Sequence, residues 1–223
     1  MEVSEWLRRV QASPLGGRCV VRGSQLTQLW IPERKAADVD HLLLGEGWTV
    51  GRVRSLLGEL APGALLEVTW EETKFPGVRV SAARLRVDVG RGDPLVAEPV
   101  PVTIAGVETL GVVPEVMLGW KIHGLVEFGR GRWHAKTLAD VVLMLRRLKL
   151  DEELVSRALS VAFESRETPL SALEPLLDDP AWGASRGSRN KWKSYRRKAP
   201  WVDFELSEAL AELRSSRFLR MGR

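Results

Sequence analysis

The stretch VVRGSQLTQLWIPERKAADVDHLL, residues 20–43, decides the fold. Its pattern predicts a short apolar strand that ends at Gly23, followed by a helix with Ser24 as its N-cap. A second apolar strand contains Asp38 and Asp40, which project from the same face because side chains alternate along a strand. Burying two like charges costs several kcal/mol each unless an opposite charge is present. We therefore expect a cationic group to neutralise this pair.

The bulk composition is that of a globular protein with a sizeable core. The chain has 223 residues, 44% hydrophobic and 28% charged, with a formal net charge of +4. Cys19 is the only cysteine, which excludes an internal disulfide and fits a reducing compartment. No apolar run approaches the ~18 residues of a membrane span, and the N-terminus lacks the apolar core of a signal peptide. We expect a cytoplasmic protein that does not associate with membranes.

The character of the chain changes near residue 107. Before this point, the pattern predicts a helix, two strands and a proline-bearing extended segment, at 49–60, 64–70, 83–89 and 98–106. After it, apolar stripes with helical spacing predict four helices, at 114–129, 137–148, 151–166 and 204–219. We therefore predict an α/β domain over 1–107 and a helical domain over 108–223.

A third carboxylate belongs to the predicted strand at 83–89. Apolar residues form one face of this strand, and Asp88 lies on the opposite face. If the strand pairs beside that of Asp38 and Asp40, three carboxylates converge on a site whose oxygen ligands suit Mg²⁺ or Mn²⁺. Asp93 and Glu72 are rivals for the third place. A bare Asp-x-Asp is more often the solvent-facing side of an edge strand, and only the third acid changes that balance.

Two further features favour anionic ligands. Backbone N–H groups of the Gly23-Ser24 turn can hold a phosphate, although such a turn is usually only a helix cap. A phosphate-binding turn beside three carboxylates has the parts that two-metal phosphoryl transfer needs. The segment SRGSRNKWKSYRRKAPW, residues 185–201, has seven Lys and Arg, no acid and interleaved aromatics. It suits a nucleic-acid backbone with exposed bases; the alternative is a solvated surface whose aromatics dock on the core.

The order of strand, Gly-Ser, helix, Asp-x-Asp and later strand acid resembles the DNA polymerase β-like nucleotidyltransferase superfamily. Four further blocks resemble the nucleotidyltransferase AbiEii/AbiGii toxin family: TWEETKFPGVRV (69–80), LRVDVGRGDPL (85–95), VVPEVMLGWKIHGL (112–125) and KTLADVVLML (136–145). The resemblance runs from residue 20 to the C-terminus. It implies an α+β fold, in which a nucleotidyltransferase-type mixed sheet flanked by helices precedes an all-helical C-terminal domain.

The resemblance also implies roles for the residues of the first domain. Gly23 and Ser24 would hold the nucleotide phosphates. Asp38, Asp40 and Asp88 would bind the metal ions, Mg²⁺ or Mn²⁺, and serve as the catalytic carboxylates.

In the helical domain the resemblance concerns a lysine and an acid. Lys121 resembles the family's lysine that contacts the nucleotide, although a lysine flanked by apolar neighbours is often only extended along the edge of a core. The family's next block reads basic-Asp-x-x-Asp. Here Lys136 is followed by Thr137 in place of the first acid, and only Asp140 remains to contact the nucleotide.

The function expected from this resemblance is metal-dependent transfer of NMP from an NTP to an acceptor. Some relatives act on tRNA 3′ ends, so RNA is the expected acceptor, and the family implies a toxin with a cognate antitoxin. Two other functions remain open. One is a nucleic-acid-binding module on a catalytically inactive nucleotidyltransferase fold, which the altered block at 136–140 favours. The other is a nucleotidyltransferase that modifies a small molecule such as an antibiotic.

Overall fold

Strands dominate the first part of the chain. The computed structural model describes residues 1–36, 38–69 and 75–221. Within these ranges seven strands form one sheet: β1 (Cys19–Arg22), β2 (Val39–Leu43), β3 (Leu65–Thr69), β4 (Gly77–Ala82), β5 (Leu85–Arg91), β6 (Val100–Ile104) and β7 (Val107–Gly111). Their order in the sheet is β3-β4-β5-β2-β1-β7-β6.

The sheet is mixed, and its centre is formed by β5, β2 and β1. Strand β2 pairs antiparallel with β1 and parallel with β5, and β1 pairs parallel with β7. The two outer hairpins, β3–β4 and β6–β7, are antiparallel. The strands that carry Asp40 and Asp88 are therefore neighbours, which is the condition on which the predicted three-carboxylate site depends.

Three helices flank this sheet: α1 (Val3–Gln11), α2 (Ser24–Trp30) and α3 (Val50–Leu60). Helix α1 buries Trp6, Leu7 and Val10. The indole Nε1 of Trp6 donates a hydrogen bond of 2.9 Å to Nε2 of His41, which is fully buried on β2. His41 is thus a packed core residue.

The hairpin β6–β7 corrects the sequence interpretation, which expected only an extended segment at 98–106. Ala105 and Gly106 both have positive φ, +50° and +75°. These are the angles of a two-residue turn that matches strand twist. Pro101 is tolerated because β6 is an edge strand, where a missing N–H breaks no pairing. β7 pairs with β1, so the sheet continues beyond the boundary predicted at residue 107.

The remaining residues are helical: α4 (Pro114–Arg132), α5 (Ala135–Arg147), α6 (Glu152–Ser165), the 3-10 helix Leu170–Leu173, α7 (Glu174–Leu177), α8 (Arg186–Lys198), α9 (Leu206–Ser215) and α10 (Phe218–Met221). The single helix predicted at 204–219 is wrong, because extended backbone at Ser216 separates α9 from α10. The predicted α+β class, a mixed sheet with helices followed by an all-helical part, is confirmed.

Two compact units account for these elements. One comprises residues 1–93 and 98–113, and the other comprises 94–97 and 114–223. Across the described ranges, no helix combines the length and the apolarity needed to cross a membrane.

The buried His41 makes stability depend on pH. Burial, followed by the nearby Arg22, lowers the pKa of His41 to about 4 from 6.5. Between these values the unfolded chain binds a proton that the folded protein excludes, so the free energy of unfolding should fall as pH drops from about 6.5 to about 4. The loss attributable to this group is about 3 kcal/mol. Denaturant unfolding across this pH range measures it.

The matched controls are His41→Gln and His134→Gln. Gln at 41 keeps an acceptor for Trp6 but does not titrate, so the variant should lose this part of the pH slope whatever its absolute stability. His134 is exposed, and its replacement should leave the slope as in wild type. A wild-type slope in His41→Gln would contradict the assignment.

Candidate active site

The turn between β1 and α2 approaches the acidic strand so closely that only glycine fits at its first position. Gly23 has φ +69°. A Cβ atom at this residue would lie 2.0 Å from Oδ2 of Asp40. Both the left-handed backbone and the contact therefore exclude a side chain here.

Ser24 is held differently from the sequence prediction. Gly23 is the N-cap of α2, and Ser24 is its first helical residue, so the predicted cap position is wrong by one residue. The Ser24 hydroxyl donates a hydrogen bond of 2.7 Å to the carbonyl oxygen of Asp38. The backbone N–H of Ser24 donates one of 3.4 Å to the Asp40 carboxylate. These two hydrogen bonds attach the turn to the acidic segment at both Asp38 and Asp40. Asp40 lies at the N-terminus of α2, where a backbone N–H group points toward it.

The carboxylates lie in adjacent positions of the sheet. Asp40 on β2 is paired in register with Asp88 on β5. Because paired residues of neighbouring strands project to the same face, both carboxylates point the same way. Asp38 precedes β2 by one residue, outside the strand in which the sequence placed it. The predicted convergence of the two strands is confirmed; the catalytic and metal-binding roles of these residues stay predictions.

Arginines supply the positive charge that the sequence argument required. Asp40 is flanked across the sheet by Arg22 on β1, and Asp88 by Arg79 on β4. Arg79 donates two hydrogen bonds to Asp88, of 2.7 and 3.3 Å. Arg86 on β5 forms an ion pair with Asp38.

Arg79 and Arg22 were not identified from the sequence. Arg79 lies at an alternating position of β4, but nothing in one strand reports which residue faces it on the next strand. Arg86 lies two residues before Asp88 on β5, so alternation alone places both residues on the same face of the strand.

The environment of Asp40 disfavours the charged form of its carboxyl group. Burial raises the pKa of its carboxyl above the ordinary value, and repulsion from Asp88 and Asp38 adds to the rise. Arg22 and the Ser24 N–H oppose it, in that order. The arginines therefore compensate Asp40 only partly, and a further cation beside it would stabilise the ionised form.

The two rivals for the third carboxylate have different outcomes. Asp93 is buried and forms an ion pair with Arg22. It does not lie in the β2–β5 register, because β5 ends at Arg91. Glu72 lies outside the described residues. Asp88 is therefore the third carboxylate that the sheet places beside Asp40.

The donor set fits a hard divalent cation in kind, since Asp38, Asp40 and Asp88 offer carboxylate oxygens. In the described ranges, however, no three Asp, Glu, His or Cys side chains are arranged to hold a metal ion. Arg86 and Arg79 hold Asp38 and Asp88 instead. The Arg86 side chain is 51% exposed, and an exposed ion pair contributes only about 0–1 kcal/mol. A dication can displace such a partner, so the residues fit the ion if the guanidinium groups move aside.

The two predicted residues of the helical unit contact each other. Nζ of Lys121 on α4 donates a hydrogen bond of 2.8 Å to Oδ2 of Asp140 on α5. The Asp140 side chain is only 1% exposed. Lys121 is therefore an ion-pair partner of a buried acid and not merely a lysine extended along apolar neighbours. Removing Lys121 would take a charged partner from a buried carboxylate, which is destabilising, so Lys121→Ala tests folding as much as nucleotide binding.

A Gly-Ser turn fastened to Asp-x-Asp, with a third carboxylate in register on the next strand, is the arrangement that the family resemblance implied. The sequence matches the family described as nucleotidyl transferase AbiEii toxin, type IV TA system, over residues 7–210. The chain belongs to this nucleotidyltransferase toxin family, and its first unit has the corresponding mixed sheet.

The solved structures that match this chain include the following two. JHP933 from Helicobacter pylori has 15% sequence identity and a TM-score of 0.49, covering 98% of this chain and 87% of that chain. An antigenic nucleotidyltransferase-like protein from Paracoccidioides brasiliensis has 17% identity and a TM-score of 0.41, with coverage of 95% and 94%. No curated protein matches the sequence. The family assignment rests on the match over residues 7–210.

The different environments of Asp40 and Asp88 predict opposite effects on stability. Asp40→Asn should raise the free energy of unfolding at neutral pH, because it removes a carboxylate whose ionised form is disfavoured by burial and repulsion. Asp88→Asn should lower it by about 1 kcal/mol, because Arg79 loses charge-assisted hydrogen bonds in a partly exposed site. Denaturant unfolding without divalent metal measures both.

The pH dependence gives the control. Since the raised pKa makes the folded state hold its proton on Asp40 more tightly, the gain from Asp40→Asn should shrink in acid, where wild-type Asp40 is protonated. The same sign of effect for both variants would show that the arginine pairing seen at Asp88 does not distinguish the two sites.

Proposed function

We propose that this protein is a divalent-metal-dependent nucleotidyltransferase that moves NMP from an NTP to an RNA acceptor, such as a tRNA 3′ end. The observation that carries the proposal is the register pairing of Asp40 with Asp88 beside the Gly23-Ser24 turn. Membership of the AbiEii family supports the reaction class.

The reaction exchanges one P–O bond for another. An acceptor hydroxyl oxygen attacks the α-phosphorus of the NTP, the bond from this phosphorus to the β-phosphate bridge breaks, and pyrophosphate leaves while the hydroxyl proton passes to solvent. Asp38, Asp40 and Asp88 are the residues that would hold Mg²⁺ or Mn²⁺. When bound, the metal lowers the pKa of the attacking hydroxyl and neutralises charge on the leaving pyrophosphate.

The protein groups around the carboxylates have complementary tasks. Gly23 lets the turn close onto Asp40. The Ser24 N–H, which donates to Asp40, would contact a nucleotide phosphate once it exchanges the carboxylate for that phosphate. Arg79 and Arg86, once displaced from Asp88 and Asp38, would be available to contact the triphosphate. In the helical unit, Asp140 would hold Lys121 in a fixed orientation for a nucleotide contact.

The partners follow from charge and family. The net charge of +4 and the acid-free basic segment at 185–201 favour a polyanionic acceptor, which is why RNA is preferred over a small molecule. The type IV toxin–antitoxin family supports a cognate antitoxin protein as a further partner.

A second candidate function is a nucleic-acid-binding module on an inactive nucleotidyltransferase fold. The specific observation that favours it is the arginine pairing of Asp38 and Asp88, which neutralises both carboxylates without a metal. The replacement of the family's first acid by Thr137 points in the same direction. This protein would bind RNA but transfer nothing to it.

Labelled-nucleotide transfer separates the two functions. Wild-type protein, Mg²⁺ or Mn²⁺, each α-labelled NTP in turn and total RNA should yield labelled RNA. Asp40→Asn should reduce the rate by about a hundredfold or more, because a metal ligand is worth several kcal/mol in the transition state. The matched control is Asp203→Asn, an exposed acid of the helical unit, which should transfer as wild type does.

Three results would contradict the proposal in different ways. Full activity in Asp40→Asn removes the carboxylate mechanism. Binding of RNA without transfer of any NTP supports the inactive module. Transfer to small hydroxyl or amino acceptors but never to RNA moves the assignment to small-molecule modification.

A further inference from the structure

A cavity of about 850 Å³ lies within the helical unit, formed by α8, α9 and the turn before α8. This volume is in the range of small-molecule binding sites, about 300–1,000 Å³. Its walls are apolar and include Trp182, Trp192, Leu206 and Leu210, each at most 6% exposed. None of these residues belongs to the carboxylate site, which lies in the other unit.

The rim of the cavity is cationic. Helix α8 contributes four residues at positions i, i+4, i+7 and i+8, which fall on one helical face: Arg189, Lys193, Arg196 and Arg197. Arg214 from α9 adds a fifth charge, and Glu205 is the only acid that lines the cavity in the described part of the chain. The basic segment is therefore a helix that directs one of its faces into a cavity, which the sequence alone did not reveal.

Three of the five cations are fixed by the protein itself. Arg189 donates to the carbonyl oxygen of Ala184, Arg196 donates to Val202 and pairs with Glu205, and Arg214 donates to two carbonyl oxygens. These hydrogen bonds therefore fix the conformations of the three side chains at the rim of the cavity.

Lys193 and Arg197 differ from these three. Both are exposed, and neither pairs with another residue in the ranges that the structure describes. They are one helical turn apart, so their Cβ atoms are about 5–6 Å from each other. Two unpaired cations at this spacing can hold one phosphate group together.

We propose that this cavity binds a nucleotide unit of single-stranded RNA, with a phosphate between Lys193 and Arg197 and the base against the apolar wall. An apolar wall beside a cationic rim matches the two halves of a nucleotide. A chain of nucleotides fits better than a free one, because the same helix continues its positive charge outside the cavity at Arg186 and Lys198. The choice of RNA rests on the proposed acceptor.

Equilibrium binding of a labelled, short single-stranded oligoribonucleotide over a salt series tests this site. Lys193→Ala with Arg197→Ala should weaken binding about ten- to hundredfold and flatten the dependence of log K on log salt by about 1.4, for two lost contacts. The matched control removes the same charge from the same helix outside the cavity, Arg186→Ala with Lys198→Ala, and should weaken binding much less.

A neutral variant separates the cavity from the charge of the helix surface. Ser207 is exposed and lines the cavity from α9. Ser207→Trp should fill the space and weaken binding as strongly as the charge variant does, whereas Ser207→Ala should bind as wild type. Thermal unfolding checks that each variant is folded. If Ser207→Trp does not fold, the Lys193→Ala/Arg197→Ala variant, which changes only exposed side chains, tests the proposal by itself.

Equal losses for the two charge pairs, together with unchanged binding by Ser207→Trp, would overturn the proposal and leave only a solvated basic helix. Preferential binding of a free nucleoside monophosphate over the oligoribonucleotide would overturn the choice of ligand. The assay contains neither NTP nor divalent metal, so its result is independent of transfer: Asp40→Asn should bind this RNA as wild type even if all chemistry is lost.

Discussion

Mutual repulsion among Asp38, Asp40 and Asp88 is the constraint on which the first unit depends. Register pairing of β2 with β5 brings two of these carboxylates side by side, and the Gly23-Ser24 turn closes over them. Arginines at neighbouring positions of the sheet compensate this negative charge: Arg79 and Arg22 on adjacent strands and Arg86 on β5. Without this compensation the pairing of β2 with β5 would cost several kcal/mol per charge.

The strength of the arginine–carboxylate ion pairs determines whether a metal ion could replace the arginines at this site. Arg79 and Arg86 are partly exposed, so their ion pairs contribute about 0–1 kcal/mol each. Burial keeps the pKa of Asp40 raised despite the nearby Arg22. The arrangement is therefore stable enough to fold and weak enough to exchange its counter-charges, which a metal–nucleotide complex requires and a purely structural ion-pair network does not.

Sequence reasoning reached those parts of the structure that a single strand or helix encodes. Alternation placed Asp88 opposite an apolar face, and the pairing of its strand with that of Asp40, which the sequence left as a condition, is present in the sheet. Partners on other elements could not be predicted. The register of β4 against β5 pairs Arg79 with Asp88, and the packing of α4 against α5 pairs Lys121 with Asp140, two residues that the sequence had identified separately. The hairpin β6–β7 was missed because prolines and an Ala-Gly turn hide its pattern, and the cavity beside α8 needs the fold of α9 to exist.

Binding of Mn²⁺, measured by electron paramagnetic resonance, tests most directly whether the carboxylates are a metal site held by exchangeable arginines. The account predicts that wild type binds the ion, that Asp40→Asn binds it more weakly, and that Arg79→Gln with Arg86→Gln binds it about tenfold more tightly, since two competing charges of up to ~1 kcal/mol each are gone. No binding by any of the three proteins, or equal affinity in all of them, would contradict it.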